Sequence, residues 1–150
     1  GVVWAIVEVE GHLLHVLNTH LSILPAERHL QVEALLGPEW LGSPDCRGAV
    51  VLAGDFNAGP SSRTMTRLQT ALANAIPETT TRRELRTWTG SVPLRRIDHI
   101  LLSPAVAMHR ARVPRTTVSR VASDHLPLVI DVNASFQSLQ VVEAQIRRTS

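Results

Sequence analysis

The sequence contains no lysine: its 15 basic residues are all arginine, set against 13 acidic ones, for a formal net charge of +2. A balance that small does not mark a nucleic-acid-binding protein by charge alone. The planar fork of arginine suits phosphate oxygens, so the bias is compatible with a phosphate substrate, although the base composition of the source genome explains a complete absence of lysine more simply. Cys46 is the only cysteine, which excludes an internal disulfide. It fits a reducing compartment, and a cytoplasmic location is the expectation, with secretion left open. No apolar run approaches the roughly 18 residues that mark a membrane span. No basic leader or cleavage site precedes the first apolar stretch, and there is no initiator Met, so the chain is expected to begin inside a longer protein. Its 150 residues suit one domain with a sizeable core.

The local patterns predict a mixed α/β arrangement. Val3 to Val9 and Leu13 to Asn18 are rich in β-branched and apolar residues, and Glu10-Gly11-His12 between them reads as the turn of a β-hairpin. Pro25 opens a helix, where its missing N–H costs nothing. Leu30, Ala34 and Leu35 give that helix an apolar stripe, and Gly37-Pro38 ends it. Trp40 to Gly48 is a loop. Ala49 to Ala53 is a short, wholly apolar run, the mark of a strand buried on both faces. Ser61 or Ser62 caps a helix expected to reach about Asn74. Ile76 to Leu94 shows little periodicity and reads as a partly exposed excursion. Arg96 to Leu102 is a strand, Val113 to Val121 is weakly strand-like, and Leu126 to Val132 is a final strand. Ser138 to Arg148 is a terminal helix or tail. The fold expected is a mixed sheet with helices on one face.

Four segments place an acid, amide or imidazole at the end of an apolar strand. They are Asn18-Thr19-His20-Leu21, Gly54-Asp55-Phe56-Asn57, Arg96-Ile97-Asp98-His99-Ile100 and Ser123-Asp124-His125-Leu126-Pro127-Leu128. A carboxylate such as Asp55, after five apolar residues, is costly unless a metal, a reacting water or a donor meets it. Gly54 frees the backbone to turn, and Asn57 brings an uncharged amide near the Asp55 carboxylate. Taken alone the segment is equally an Asp-Asn turn. Asn18 and His20 share a strand face, and imidazole binds or protonates phosphate near neutral pH. Asp98 faces inward with Ile100 and Leu102 and needs a partner such as an imidazole; His99 points the other way, toward packing or solvent. Asp124 and His125 adjoin on one turn, suited to a metal ligand and a phosphate contact. Trp88 either stacks on a base or packs in the core, the latter being favoured. Arg82, Arg83, Arg86, Arg95 and Arg96 either steer a polyanion or form a solvated loop, which is favoured. Phosphodiester hydrolysis needs an activated water, charge stabilisation at phosphorus and protonation of the leaving oxygen. Carboxylate-held hard cations and imidazoles supply these between them.

As an ordered set, these segments resemble the endonuclease/exonuclease/phosphatase superfamily, whose members include deoxyribonuclease I, apurinic endonucleases of the exonuclease III type, sphingomyelinases and inositol polyphosphate 5-phosphatases. The resemblance runs from about Val2 to Val132 and is closest in style to bacterial members. It implies an α+β fold: part of a deoxyribonuclease I-like four-layer α/β sandwich, represented mainly by one mixed sheet with flanking helices. It implies that Asp55 orients or deprotonates the attacking water and that Asn57 contacts the scissile phosphate. His20 would contact the phosphate or assist the leaving group, with Asn18 supporting it. Asp98 would orient an active-site His, His125 would bind phosphate, and Asp124, together with Asp55, would hold the metal. The implied cofactor is Mg²⁺, with Mn²⁺ as a substitute, and the implied substrate a phosphoester: DNA, a phospholipid headgroup or an inositol phosphate.

The family also carries a metal-binding Asn after its first strand and a metal-binding Glu after its second, and neither segment is present here. Glu8 and Glu10 lie in the hairpin directly before Asn18 and do not replace that Glu. The expectation is therefore that residues 1–132 are part of the family domain without its N-terminal half, followed by a tail or helix over 133–150. The rival expectation is a non-catalytic half-domain that works through its exposed sheet, against the missing half or a second copy.

Overall fold

The computed structural model describes residues 1–76, 83–89 and 93–134. Glu10 and Gly11 both have positive φ, 53° and 80°, as expected for the two-residue turn whose twist matches paired strands. They join β1 (Val2–Val9) to β2 (His12–His20) in an antiparallel hairpin, with Val9 opposite His12 and Val2 opposite Thr19. The hairpin is the predicted one, lengthened so that His20 ends its second strand.

Helix α1 (Pro25–Leu36) begins at Pro25 and stops before Gly37, as expected. Its buried face matches the expected stripe only at Leu35. Val32 and Leu35 are buried, while Leu30 is 69% exposed and Ala34 is also exposed. Leu30 and Ala34 do form a stripe, four residues apart, but on the side turned away from the sheet; Val32 and Leu35, three apart, form the one that packs.

Strand β3 (Ala49–Asp55) runs parallel to β2, in a register that sets His20 opposite Asp55. Helix α2 (Arg63–Leu68) is capped by Ser62, whose Oγ accepts from the Met65 amide at 3.3 Å. It ends well before Asn74: the chain turns after Leu68 and enters the two-residue strand β4 (Ala73–Asn74). Strand β5 (Asp98–Leu102) lies antiparallel between β3 and β4, which completes a five-stranded mixed sheet ordered β1-β2-β3-β5-β4.

A second, two-stranded antiparallel sheet pairs β6 (Val106–Arg112) with β7 (Val129–Ala134). No sequence signal foretold β6, and β7 starts three residues after the predicted Leu126. The stretch Val113 to Val121 is not a strand. It contains helix α3 (Thr117–Ala122), because the Thr116 side chain accepts from the Ser119 amide at 3.0 Å and nucleates a turn that outweighs the β propensity of Thr and Val. The predicted element over 138–148 lies outside the described residues.

Leu17, Leu52 and Leu101 on one sheet face pack with Val32, Leu35, Met65 and Leu68 of the two helices. On the other face Ala49, Ile100 and Leu102 pack with Val106, Met108, Ile130 and Val132 of the small sheet. The result is an α+β sandwich with a mixed sheet between α1/α2 on one side and β6/β7 on the other. The small sheet leaves part of that second face uncovered: Val3, Val7 and Val9, on the β1 face turned away from the helices, are exposed. Among the described residues no helix is long and apolar enough to cross a membrane.

Candidate active site

The sheet register gathers the site. The C-terminal ends of the parallel strands β2 and β3 bring His20 beside Asp55, and antiparallel β5 starts at that same end, with Asp98 opposite Asp55. Gly54 makes this approach possible. Its φ is 146°, and a Cβ there would sit 1.8 Å from the Thr19 carbonyl oxygen on β2. Only glycine allows β3 to lie so close at its C-terminal end.

Asp55 Oδ1 accepts from the Asn57 backbone N–H at 2.8 Å, so the carboxylate folds the loop that follows it. Asn57 has a positive φ of 47°, which Asn tolerates better than most residues. Its side chain does not turn to Asp55. Nδ2 donates to the Leu21 carbonyl at 2.8 Å and lies 3.1 Å from His20 Nε2. With Nδ2 as a donor, His20 Nε2 accepts in this arrangement. His20 Nε2 also lies 3.5 Å from Asp55 Oδ2.

His125 stands between two carboxylates. Its Nδ1 is 2.9 Å from Asp98 Oδ2 and its Nε2 is 3.7 Å from Asp55 Oδ2. Partial burial by itself would lower its pKa, but the Asp98 hydrogen bond and the charges of Asp98, Asp55 and Asp124 together raise it above the ordinary value. The imidazolium is thereby favoured, with Nδ1–H held by Asp98 and Nε2–H turned toward Asp55.

Asp55, Asp98 and His125 each bring one donor atom to within 4.8 Å of the others, and all three are half-buried. Asp124, expected beside Asp55 as a metal ligand, is exposed and contacts the Ser123 hydroxyl outside this trio. Asn18 faces the same cleft as His20. The cleft measures about 630 Å³ and also takes in Asp55, Asp98, His125, Ser119 and Ala122.

His99 points to the opposite face, as its alternation with Asp98 predicted. It is buried, lies 2.8 Å from the Ala58 carbonyl through Nε2, and stacks on Phe56 with ring centroids 5.5 Å apart. Burial pushes its pKa down to about 4. The neutral ring thus clamps the Asp55–Asn57 loop from behind.

Sequence reasoning missed three supports. The Ser123 hydroxyl accepts from the His125 amide at 3.1 Å and shapes the turn; Ser two residues before His was the available signal. The Leu126 amide donates to the Thr87 carbonyl at 2.8 Å, and Trp88 bridges His125 through the backbone. Trp88 is half-buried rather than sunk in the core, with the Arg95 guanidinium 5.9 Å from its ring centroid. Finally, α3 contributes Ser119 and Ala122 to the cleft wall. Of the arginine cluster, Arg82 lies outside the described residues; Arg83 and Arg95 are exposed, and Arg96 is half-buried with its guanidinium 3.4 Å from Asn74 Oδ1.

The model of the Endonuclease/Exonuclease/phosphatase family matches residues 5–125. The protein YbhP of Escherichia coli (strain K12) is 31% identical over 126 residues, which are 82% of this chain and 47% of YbhP. The chain therefore spans about half the length of that relative. Among solved structures, an endonuclease/exonuclease/phosphatase from Bacteroides vulgatus superposes with a TM-score of 0.71 at 19% identity, covering 89% of this chain and 55% of that one. Another from Beutenbergia cavernae gives 0.67 at 27% identity, covering 89% and 39%.

Proposed function

This chain belongs to the endonuclease/exonuclease/phosphatase family, and from that premise we propose that its parent protein hydrolyses a phosphoester, most simply a phosphodiester, with a divalent metal. Residues 1–132 are read as part of the family domain. The observation that carries the proposal is His125 held between Asp98 at 2.9 Å and Asp55 at 3.7 Å, in a cleft that His20 also lines, with the Asn57 amide 3.1 Å from His20 Nε2.

The donor set fits a hard cation. Mg²⁺ is commonly held by one or two carboxylates, the rest of its sphere being water and substrate phosphate. Asp55 would be the carboxylate ligand here, with Asp98 close enough to assist it and the exposed Asp124 outside that trio. A metal so bound would neutralise charge on the phosphoryl oxygens. The chain's own residues supply the proton traffic. Asp55 Oδ2 orients the attacking water and takes its proton as the water oxygen bonds to phosphorus. His125 Nε2–H donates to a phosphoryl oxygen, its charge sustained by Asp98. His20, once protonated, gives a proton to the leaving oxygen as the P–O bond breaks, and the Asn57 amide positions the phosphate.

Asp55→Asn and His125→Ala in the full-length protein should each abolish metal-dependent turnover while leaving the fold intact by circular dichroism. Near-normal activity in both variants sinks the proposal. The exposed sheet face at Val3, Val7 and Val9 favours a second reading, a non-catalytic half-domain that associates through that face. Sedimentation of the 150-residue chain separates the two: a stable metal-free monomer counts against association, and turnover by this chain alone counts against loss of activity.

A further inference from the structure

Large exposed apolar side chains lie on the chain segments that adjoin the strands and helix bearing the cleft residues. Ile23 is 74% exposed and Leu24 is 52% exposed, directly after the strand that ends in His20. Leu94 is 61% exposed on the segment leading into Asp98. Val118 is 71% and Val121 79% exposed on α3, the helix that also gives Ser119 and Ala122 to the cleft wall. The register of β2, β3 and β5 sets the first two segments next to the end of the sheet that carries His20, Asp55 and Asp98, and α3 meets that end through Ser119 and Ala122. Singly exposed apolar residues mean little; a set ringing a polar cleft marks an interaction surface.

Arginines are interspersed with them. Arg95 adjoins Leu94, Arg120 lies between the two valines of α3, and Arg115 precedes that helix; all three are exposed. Among the described residues none of the three is in an ion pair with a carboxylate. Apolar tips mixed with cations match an anionic lipid surface, where side chains such as Ile, Leu and Val enter the acyl boundary and Arg meets headgroup phosphates. A nucleic-acid strand would call instead for exposed aromatic platforms. Among the described Trp and Phe residues, Trp88, bridged to His125, is the one beside this rim, and it is half-buried under Arg95.

We propose that the cleft rim formed by Ile23, Leu24, Leu94, Val118 and Val121 docks the protein on an anionic phospholipid surface, so that the phosphoester it acts on is that of a lipid headgroup. The substrate half of this statement rests on the phosphoesterase reading above; the docking half does not.

The test is vesicle co-sedimentation of the 150-residue chain in EDTA, which removes turnover. The vesicles are either phosphatidylglycerol/phosphatidylcholine or phosphatidylcholine alone. The chain should bind the anionic vesicles, and Val118→Ser with Val121→Ser, or Ile23→Ser with Leu24→Ser, should weaken binding roughly tenfold by withdrawing aliphatic groups from the acyl boundary. Arg115→Gln with Arg120→Gln should weaken it by a similar factor and flatten its salt dependence. All these positions are exposed, and thermal melts check that the variants fold. Val3→Ser with Val7→Ser, on the open sheet face, should bind as the parent chain does. The docking claim is overturned if the rim variants bind vesicles unchanged, if only the sheet-face variant loses binding, or if the arginine variants lose a labelled 20-nucleotide single strand while vesicles never bind. Vesicle binding does not depend on Asp55, so failure here with Asp55-dependent turnover intact removes this inference alone. Lost turnover dependence with vesicle binding intact removes the phosphoesterase reading instead.

Discussion

His125 Nδ1 lies 2.9 Å from Asp98 Oδ2, across 27 residues of sequence, and this pair fixes which nitrogen of the imidazole faces the cleft. Asp98 also helps to raise the His125 pKa. The imidazolium is therefore present below that raised pKa and is lost as pH climbs through it. Asp98→Asn should lower turnover by about 10²–10⁴-fold, the usual range for disabling a positioned acid or base, and should move the alkaline limb of the pH–rate profile to lower pH. A profile of unchanged shape would detach Asp98 from the chemistry.

Gly54→Ala tests the close approach of β3 to β2. A methyl group 1.8 Å from the Thr19 carbonyl, at a φ of 146°, has no local remedy. The substitution should cost more than about 3 kcal/mol, the sum of a glycine-only backbone and a steric clash. Denaturant unfolding of the chain, or its failure to accumulate in soluble form, reads this out.

Asn57 combines a backbone role with a side-chain role, and two substitutions separate them. Asn57→Gly keeps the positive φ at ease, so stability should change by less than about 1 kcal/mol, but it removes the contacts to Leu21 and His20. Asn57→Ala loses the same contacts and strains the backbone, at a cost of about 1–2 kcal/mol. Both should depress phosphoester turnover to a similar degree, while only the alanine variant shows a clearly lower Tm.

His99 makes acid stability testable. Its folded-state pKa is about 4, below the ordinary 6.5 of an unfolded His. The unfolded chain therefore binds a proton first as pH falls. The contribution is fully present above about pH 6.5 and is lost progressively down to about pH 4, the loss having reached about 2 kcal/mol by pH 5. Comparing Tm at pH 7 and pH 5 should show a drop that is smaller in His99→Asn. An equal drop in the two proteins would place the acid sensitivity elsewhere.

Much of the frame was legible in the sequence because its signals are local. Alternation and a Glu-Gly turn define the β1–β2 hairpin, Pro25 and Gly37 bracket α1, and an unbroken apolar run marks β3. The residues of the cleft were legible too, since polar groups at the ends of apolar strands are costly without a purpose. Local signals failed where tertiary packing decides. Leu30 and Ala34 look as much like a buried stripe as Val32 and Leu35 do, and only the sheet against α1 selects between them. The six residues of α3 are too few to show a period, so a Thr116 cap outweighed β-branched propensity unseen.

The sequence by itself determined that Asp55 and Asp98 sit at strand ends and that Asn57 and His125 sit in turns, because side-chain alternation and turn chemistry need only neighbours in the chain. Only the tertiary structure decided that Asp98 pairs with His125, that Asn57 turns to His20 rather than to Asp55, and that Asp124 stays outside the Asp55–Asp98–His125 trio. Those choices follow from strand register and from the one close approach that Gly54 permits, and register is a property of pairs of strands that no single segment encodes.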